Sequence, residues 1–241
     1  MPTPIERIRE LKTGAKNQRD RGAKGYPRAL SMLKEAISIA QADLDVSTVA
    51  ERRSQLASEL SDCYGLVGGV ERRWADESKD DERVLHLKAS IRAYDDGFKF
   101  ESDPQYGIID SYNRLNRVLV RLLLRPDALA ADDAAVFDPD IPPVNLRHEL
   151  EQTSDVIRRQ LAGSRRGNYW ALADLALVEV LLDRSPATVA YADFIALSPP
   201  DFAYVSALAG LSPLAKLPIP SASSVGEAVA LLEDRLNRLR S

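Results

Sequence analysis

The amino-acid sequence predicts an all-α protein of about nine or ten helices, and three observations support this prediction. Apolar residues recur three and four positions apart along most of the 241-residue chain. Alanine, leucine and arginine, which favour helix, dominate these segments. No segment is rich in the β-branched and aromatic residues that are typical of strands.

Turn and capping residues divide the chain into the predicted helices. These cover residues 5–21, 27–41, 48–75, 82–100, 105–124, 145–161 and 169–182, a segment after Pro186, a short segment ending at Leu211, and residues 224–240. The predicted N-terminal residues are Thr48 with Glu51, Asn145, Ser185 with Pro186, and Ser224 with Glu227. Residues 125–143 contain several aspartates and prolines, and they predict a long acidic loop with a short helical turn at 128–135.

The stretch from Glu59 to Trp74 has two different faces. One face carries large apolar side chains within an arc of about 120° when residues are placed about 100° apart: Leu60, Cys63, Tyr64, Val67, Val70 and Trp74. The opposite face carries Gly65, Gly68 and Gly69, each of which costs about 1 kcal/mol in a helix interior. Because close packing would offset that cost, the pattern predicts an internal helix that is packed on two sides.

Composition and charge narrow the class of protein. A net charge of −4 and a pI near 5.4 argue against a general nucleic-acid binder. The single cysteine, Cys63, lies on the apolar face of its helix and is predicted to be a small buried hydrophobic residue. No apolar run approaches the roughly 18 residues of a membrane span, and the N-terminus has no apolar signal region. We therefore expect a cytoplasmic protein.

The sequence offers no catalytic or cofactor motif. His86 and His148 lie on different predicted helices without the spacing of a zinc site. The glycine-rich residues 65–69 lie within a helix and lack the lysine of a phosphate-binding loop. We therefore predict a protein that is not an enzyme and has no catalytic residue, metal or cofactor.

Three segments share a rhythm of small and large residues: ALSMLKEAISIA, ASIRAYDDGF and ATVAYADFIALSP. This rhythm resembles the second helix of a tetratricopeptide repeat, although Ser90 replaces the usual alanine and a strict period of about 34 residues is absent. The segments ELSDCYGLVGGVERRW, AYDDGFKFESDPQYGIIDSYNRLNRVLV and NYWALADLALVEVLLDRSPATVAYADF are similar to a divergent repeat family. That family comprises bacterial tetratricopeptide proteins and the TRAF-binding central domain of the apoptosis-signal-regulating kinases.

The resemblance implies a right-handed α-solenoid that forms one domain over residues 1–241. Its core repeats would span about 25–211, and residues 224–240 would form a C-terminal capping helix. It also implies a scaffold or regulatory subunit that binds a partner protein in its groove, in bacteria beside a signalling or defence effector. The alternative is a helical-repeat protein that senses a nucleotide or phosphate.

The fifth predicted helix carries four arginines on one face: Arg114, Arg117, Arg121 and Arg125, with Asn113 beside them. Three interpretations stay open: a solvated face, a strip that binds acidic peptides through guanidinium groups, or a strip covered by the acidic loop 125–143. The candidate partner-binding residues are Asn113, Arg114, Arg117, Arg121 and Tyr169. The partner is expected to be a protein or peptide with an acidic segment.

The last predicted helix carries a narrow apolar stripe. Its members are Val225, Val229, Leu232, Leu236 and Leu239. A stripe of this spacing suits one partner helix, so a homodimer through this helix is a further expectation.

Overall fold

The computed structural model describes residues 3–240, and this part of the chain is helical without named strands. It contains eleven α-helices: α1 (Pro4–Arg19), α2 (Tyr26–Val46), α3 (Ala50–Glu77), α4 (Asp80–Ser102), α5 (Tyr112–Leu124), α6 (Leu146–Ala162), α7 (Tyr169–Leu181), α8 (Ala187–Ala190), α9 (Ala192–Ala196), α10 (Asp201–Leu214) and α11 (Ala222–Arg240). Short 3-10 helices occupy Gly22–Lys24 and Pro126–Leu129. The predicted all-α class is therefore confirmed.

The chain divides into two compact units, Met1–Val120 and Arg121–Ser241, and the division falls within α5. In the first unit α1 packs on α2, α2 on α3, and α3 on α4. In the second unit α6 packs on α7, α10 packs on α11, and α11 also contacts α7 and α8. The organisation of residues 1–241 as one helical-repeat domain stays a prediction.

Helix α3 is packed on two sides, as the sequence predicted. Its apolar face, with Leu56, Leu60 and Cys63, is buried against α1 and α2. On the other face, a Cβ atom added at Gly68 would lie 2.8 Å from three ring atoms of Tyr94 on α4. Such an approach has no room for a side chain, so the glycine is required for the close contact of α3 with α4.

The other glycines of this region differ in how tightly they are packed. A Cβ atom at Gly65 would lie 2.9 Å from Oδ1 of Asn113 and 3.0 Å from the Tyr112 ring, whereas one at Gly69 would meet nothing closer than 3.6 Å. Gly97, which was not predicted to be closely packed, is the tightest of these positions, because a Cβ atom there would lie 2.6 Å from Cγ of Asn113. The structure therefore confirms close packing at Gly65 and Gly68, shows looser packing at Gly69, and adds Gly97.

Four predicted helix starts differ from the structure. Helix α3 begins at Ala50, with Val49 at its N-cap and no side-chain cap, so the predicted capping box of Thr48 and Glu51 is wrong. The fifth helix begins at Tyr112 rather than at residue 105, because Asp110 turns the chain by accepting hydrogen bonds from the Ser111 and Tyr112 amides.

In the second unit, Pro186 rather than Ser185 is the N-cap of α8, and the eighth predicted helix is divided at Tyr191 into α8 and α9. Ser224 lies within α11, and its hydroxyl donates to Oδ1 of Asp183 at 2.8 Å instead of capping the helix. The predicted cap at Asn145 is confirmed, because its Oδ1 accepts from the His148 amide at 2.9 Å.

An ion-pair cluster joins α1 to α3 in the first unit. Glu59 of α3 is buried, and its carboxylate lies 2.8 Å from Nε of Arg9 and 2.6 Å from Nζ of Lys12 on α1. Lys12 also pairs with Asp62. Burial opposes ionisation of Glu59, but the hydrogen bonds from Lys12 and Arg9 outweigh it, and the pKa of Glu59 is lowered from 4.5.

We expect Glu59→Gln to lower the free energy of unfolding by about 1–2 kcal/mol at pH 7. Because the folded pKa of Glu59 lies below 4.5, its contribution is present above that pH and is lost as the pH falls through the folded value. The difference between the parent and the variant in urea unfolding should therefore shrink in acid. Glu35→Gln, at the half-exposed Arg7–Glu35 pair, is the control and should change stability little at either pH. A constant Glu59→Gln difference from pH 7 to pH 3 would contradict the assignment.

Candidate functional site

A buried polar network lies where α5 begins, and Asn113 is part of it. Its Nδ2 donates to the Ser61 carbonyl at 3.1 Å, to the Ser61 hydroxyl at 2.9 Å and to Oε1 of Glu101 at 2.7 Å. The Glu101 carboxylate also accepts from the backbone amides of Asn113 at 3.0 Å and Arg114 at 3.1 Å. These bonds satisfy the first turn of α5, so Glu101 caps this helix from the end of α4.

The buried position of Glu101 disfavours its charged form. Burial raises the pKa of Glu101, and the amide hydrogen bonds from Asn113 and Arg114 oppose that shift without reversing it. Asn113 is itself buried. The structure therefore places Asn113 in an internal packing role, with its side chain turned towards α3 and α4.

Arg114 and Arg117 lie over one aromatic ring. Their guanidinium carbons are 4.5 Å and 4.2 Å from the centre of the Phe98 ring on α4, which is cation–π contact. Nε of Arg117 also lies 3.4 Å from Oδ1 of Asp95. Arg117 is buried, whereas Arg114 and Phe98 are half-buried. Of this pair, Arg114 is the one that offers surface to a partner.

Arg121 contacts the acidic loop 125–143 in the second unit, and Arg125, the first residue of this loop, contacts later residues of it. The guanidinium carbon of Arg121, which is only 1% exposed, lies 5.6 Å from the centre of the Phe137 ring. Arg125 pairs with Asp127 at 2.5 Å and donates to the Val136 carbonyl at 3.1 Å. Of the three interpretations of the arginine face, contact with the following loop is the one that these distances support for Arg121 and Arg125.

The loop itself is more ordered than its composition suggests. Ala135 and Val144 exchange two backbone hydrogen bonds of 3.0 Å, and the side chains of Phe137 and Ile141 are buried. The predicted helical turn at 128–135 is instead a 3-10 helix at Pro126–Leu129.

A second surface, on α10, combines exposed apolar side chains with an absence of charge. Phe202, Val205, Ser206 and Ala209 share one face of the helix and are exposed, and we call them the α10 surface. No charged residue occurs between Asp201 and Lys216. An exposed helix face without any charge is unusual for a surface that contacts only water.

Aromatic residues of α7 extend the α10 surface. The Phe202 ring centre lies 6.1 Å from that of Trp170, which in turn lies 5.0 Å from that of Tyr169. Tyr169 and Trp170 are both half-buried. Of the candidate residues from the sequence, Tyr169 is thus connected to this surface through Trp170.

The α10 surface was not among the predicted sites, although the sequence contains a signal for it. The segment from Phe202 to Ala215 has no charged residue, and its apolar and small residues cover every face of the helix. A helix that is apolar all round is either fully buried or offers a face for binding. The structure shows that Phe202 is 59% exposed, so α10 is not fully buried and offers a face for binding.

Comparisons with known protein families, with curated proteins and with solved structures give no match for this chain. Within residues 3–240, no cluster of three or more histidine, cysteine or acidic side chains is placed to hold a metal ion. In the same residues, none of the helices is both long enough and apolar enough to span a membrane.

Proposed function

We propose that this protein is a non-catalytic binding module, a scaffold or regulatory subunit, and that its partner is another protein bound at the α10 surface. The observation that carries the proposal is the exposed, charge-free face formed by Phe202, Val205, Ser206 and Ala209. Aromatic residues are enriched and charged residues are depleted at the centres of protein interfaces, and this face has both properties.

The energetics favour an apolar partner for this face. Fully burying a phenylalanine side chain contributes about 1.5–3 kcal/mol, and Phe202 leaves more than half of its surface in water. Small residues such as Ser206 and Ala209 let another backbone approach the helix closely. Trp170 and Tyr169 lie at the edge of the α10 surface, and their indole N–H and phenol O–H groups can form hydrogen bonds with a partner.

The arrangement of the helices in the first unit supports a repeat architecture as part of this proposal. The successive packing of α1 to α4 is what a tetratricopeptide-like stack would require, and we propose that the helix pairs are divergent repeats of that kind. We further propose a cytoplasmic location and a role beside a bacterial signalling or defence effector. Arg114, half-buried beside Phe98, is the arginine that we propose to contact an acidic segment of the partner.

A homodimer through the apolar stripe of α11 receives less support. Val225, Leu232 and Leu236 are buried, and α11 packs on α10, α7 and α8 of the same chain. Leu239 is the member of the stripe that is left exposed. The stripe thus has its partner helices within the second unit.

The test replaces Phe202 by aspartate in the full-length tagged protein. We expect Phe202→Asp to reduce the partner captured from the native cell by at least about tenfold, because an interface anchor is lost and a charge is buried. Stability should fall by no more than about 1 kcal/mol, since more than half of the side chain is exposed and the rest contacts Trp170. Leu85→Asp is the matched control, because Leu85 is 62% exposed on α4 and lies outside the α10 surface. If quantitative mass spectrometry finds the same proteins at the same level with both variants, the surface is not the binding site.

The nucleotide or phosphate sensor has less support from the geometry. Its arginines would be Arg114, Arg117 and Arg121, of which two are buried, and all three lie over aromatic rings of the chain itself. A rise in melting temperature with one member of a nucleotide panel would favour this alternative.

A further inference from the structure

A cavity of about 170 Å³ lies in the second unit, where α7 ends and α11 begins. Leu182 and Asp183 line it from the end of α7, and Pro220 and Ser221 line it from the start of α11. Asp132 and Arg147 complete the polar part of its wall. The volume is several times the roughly 30 Å³ that one water molecule occupies in the liquid, so the cavity has room for a small organic molecule.

Ser221 presents an unsatisfied group to this cavity. The residue is 2% exposed, and its Oγ has no hydrogen-bond partner among residues 3–240. Ser221 directly precedes α11, yet its hydroxyl does not bond to the first turn of the helix. Buried hydroxyl groups are nearly always hydrogen-bonded, so this orphaned oxygen calls for a bound molecule with a polar group.

The polar wall of the cavity carries charges of both signs. Its acidic groups are Asp183, which follows the C-terminus of α7, and Asp132 of the loop 125–143. Its basic group is the guanidinium of Arg147 in the first turn of α6, and the positive N-terminus of α11 follows Ser221. Neither a simple anion nor a simple cation matches charges of both signs.

Asp183 and Arg147 also contact residues that do not line the cavity. Asp183 has a φ of 54° and accepts from the Ser224 hydroxyl through one oxygen, Oδ1, at 2.8 Å. Nε of Arg147 lies 3.9 Å from Glu151, at the outer limit of an ion pair. The left-handed backbone at Asp183 belongs to the end of α7, where the amides of Asp183 and Arg184 donate to the Val180 and Glu179 carbonyls at 3.1 Å and 3.0 Å.

We propose that this cavity binds a small α-amino acid in its zwitterionic form. The ammonium group interacts with the carboxylates of Asp183 and Asp132, and the carboxylate interacts with the Arg147 guanidinium and the Ser221 hydroxyl. An α-amino acid carries its ammonium and carboxylate groups on one carbon atom, which matches a small cavity whose wall has charges of both signs. This site is separate from the α10 surface and does not depend on the function proposed for it.

The test is isothermal titration calorimetry of the full-length protein with glycine, L-alanine and L-serine, beside propionate and propylamine as analogues with a single charge. We expect at least one zwitterion to bind and both analogues to bind at least tenfold more weakly. Ser221→Ala should weaken the binding about three- to tenfold, and Arg147→Met about tenfold or more. Ser206→Ala and Arg238→Met, outside the cavity, should bind as the parent does, and so should Phe202→Asp.

Circular dichroism establishes that each variant is folded, and Arg147→Met, at an exposed position, keeps the test decisive if Ser221→Ala unfolds. The absence of binding by all three amino acids at millimolar concentration would overturn the proposal. Propionate or propylamine binding as tightly as alanine would do the same, because the site would then recognise one charge. Unchanged affinity in Arg147→Met would likewise exclude this cavity.

Discussion

Replacing Gly68 by leucine is expected to lower the free energy of unfolding of the first unit by about 3 kcal/mol or more. The new side chain would begin 2.8 Å from three ring atoms of Tyr94, a residue that is only 1% exposed. The backbone of Gly68 is also held in place, because its carbonyl accepts from the Ser90 hydroxyl at 2.8 Å. Helices α3 and α4 would therefore have to separate. Urea unfolding followed by circular dichroism measures the effect.

The neighbouring residue provides the control. A Cβ atom at Gly69 would meet ordinary contacts of 3.6 Å and 3.8 Å to tyrosine hydroxyls, so Gly69→Ala removes a helix-weakening glycine without a clash. We expect it to stabilise the protein by about 0.5–1 kcal/mol. The two substitutions thus have opposite signs at adjacent positions. Gly65→Leu should resemble Gly68→Leu, since it would press on Tyr112 and Asn113. Stability equal to that of the parent in Gly68→Leu would refute the two-sided packing of α3.

Replacing Glu101 by alanine is expected to cost about 2–4 kcal/mol. The substitution removes the acceptor for the backbone amides of Asn113 and Arg114 and leaves two donors at the start of α5 without a partner. Glu101→Gln should recover part of this loss. Its amide oxygen can accept at one position of the carboxylate, but its NH₂ group would face a donor at the other. Thermal unfolding of the three proteins would give this order of stability.

A surface carboxylate on the same helix serves as the reference. Asp96 forms an exposed pair with Lys99 at 2.7 Å, and Asp96→Ala should change stability by no more than about 0.5 kcal/mol. If Glu101→Ala were as mild as Asp96→Ala, Glu101 would not be the cap of α5. A shift of hydrogen-exchange protection confined to the first turn of α5 would support the assignment directly.

The sequence predicted the helices better than their ends, and the capping motifs show why. Thr3 with Glu6 forms a capping box in the structure, with bonds of 3.3 Å and 2.7 Å, although this box was not predicted. The same motif at Thr48 and at Ser224 forms no box. A capping motif involves only four neighbouring residues. The Ser224 hydroxyl instead donates its hydrogen bond to Asp183, which is far away along the chain.

The candidate site was less predictable, for a related reason. A helical wheel correctly groups the arginines of α5 on one face, but it cannot show what covers that face. The structure buries Arg117 against Phe98 and Asp95, and it places Arg121 over Phe137. Each of these contacts joins segments that are not neighbours in sequence. Likewise, the apolar character of α10 can be read from the sequence, but the exposure of Phe202 depends on tertiary packing.

The burial of Cys63 has a practical consequence. It is the only thiol in the sequence, it is fully buried between α1, α2 and α3, and burial raises its pKa to about 12. The native protein therefore presents almost no thiolate to a maleimide or a disulfide reagent. A cysteine introduced at an exposed position would be the single labelled site without removal of the natural one. Fluorescent or spin labels could thus be placed one at a time, on α10 or beside the Ser221 cavity, in an otherwise unaltered chain.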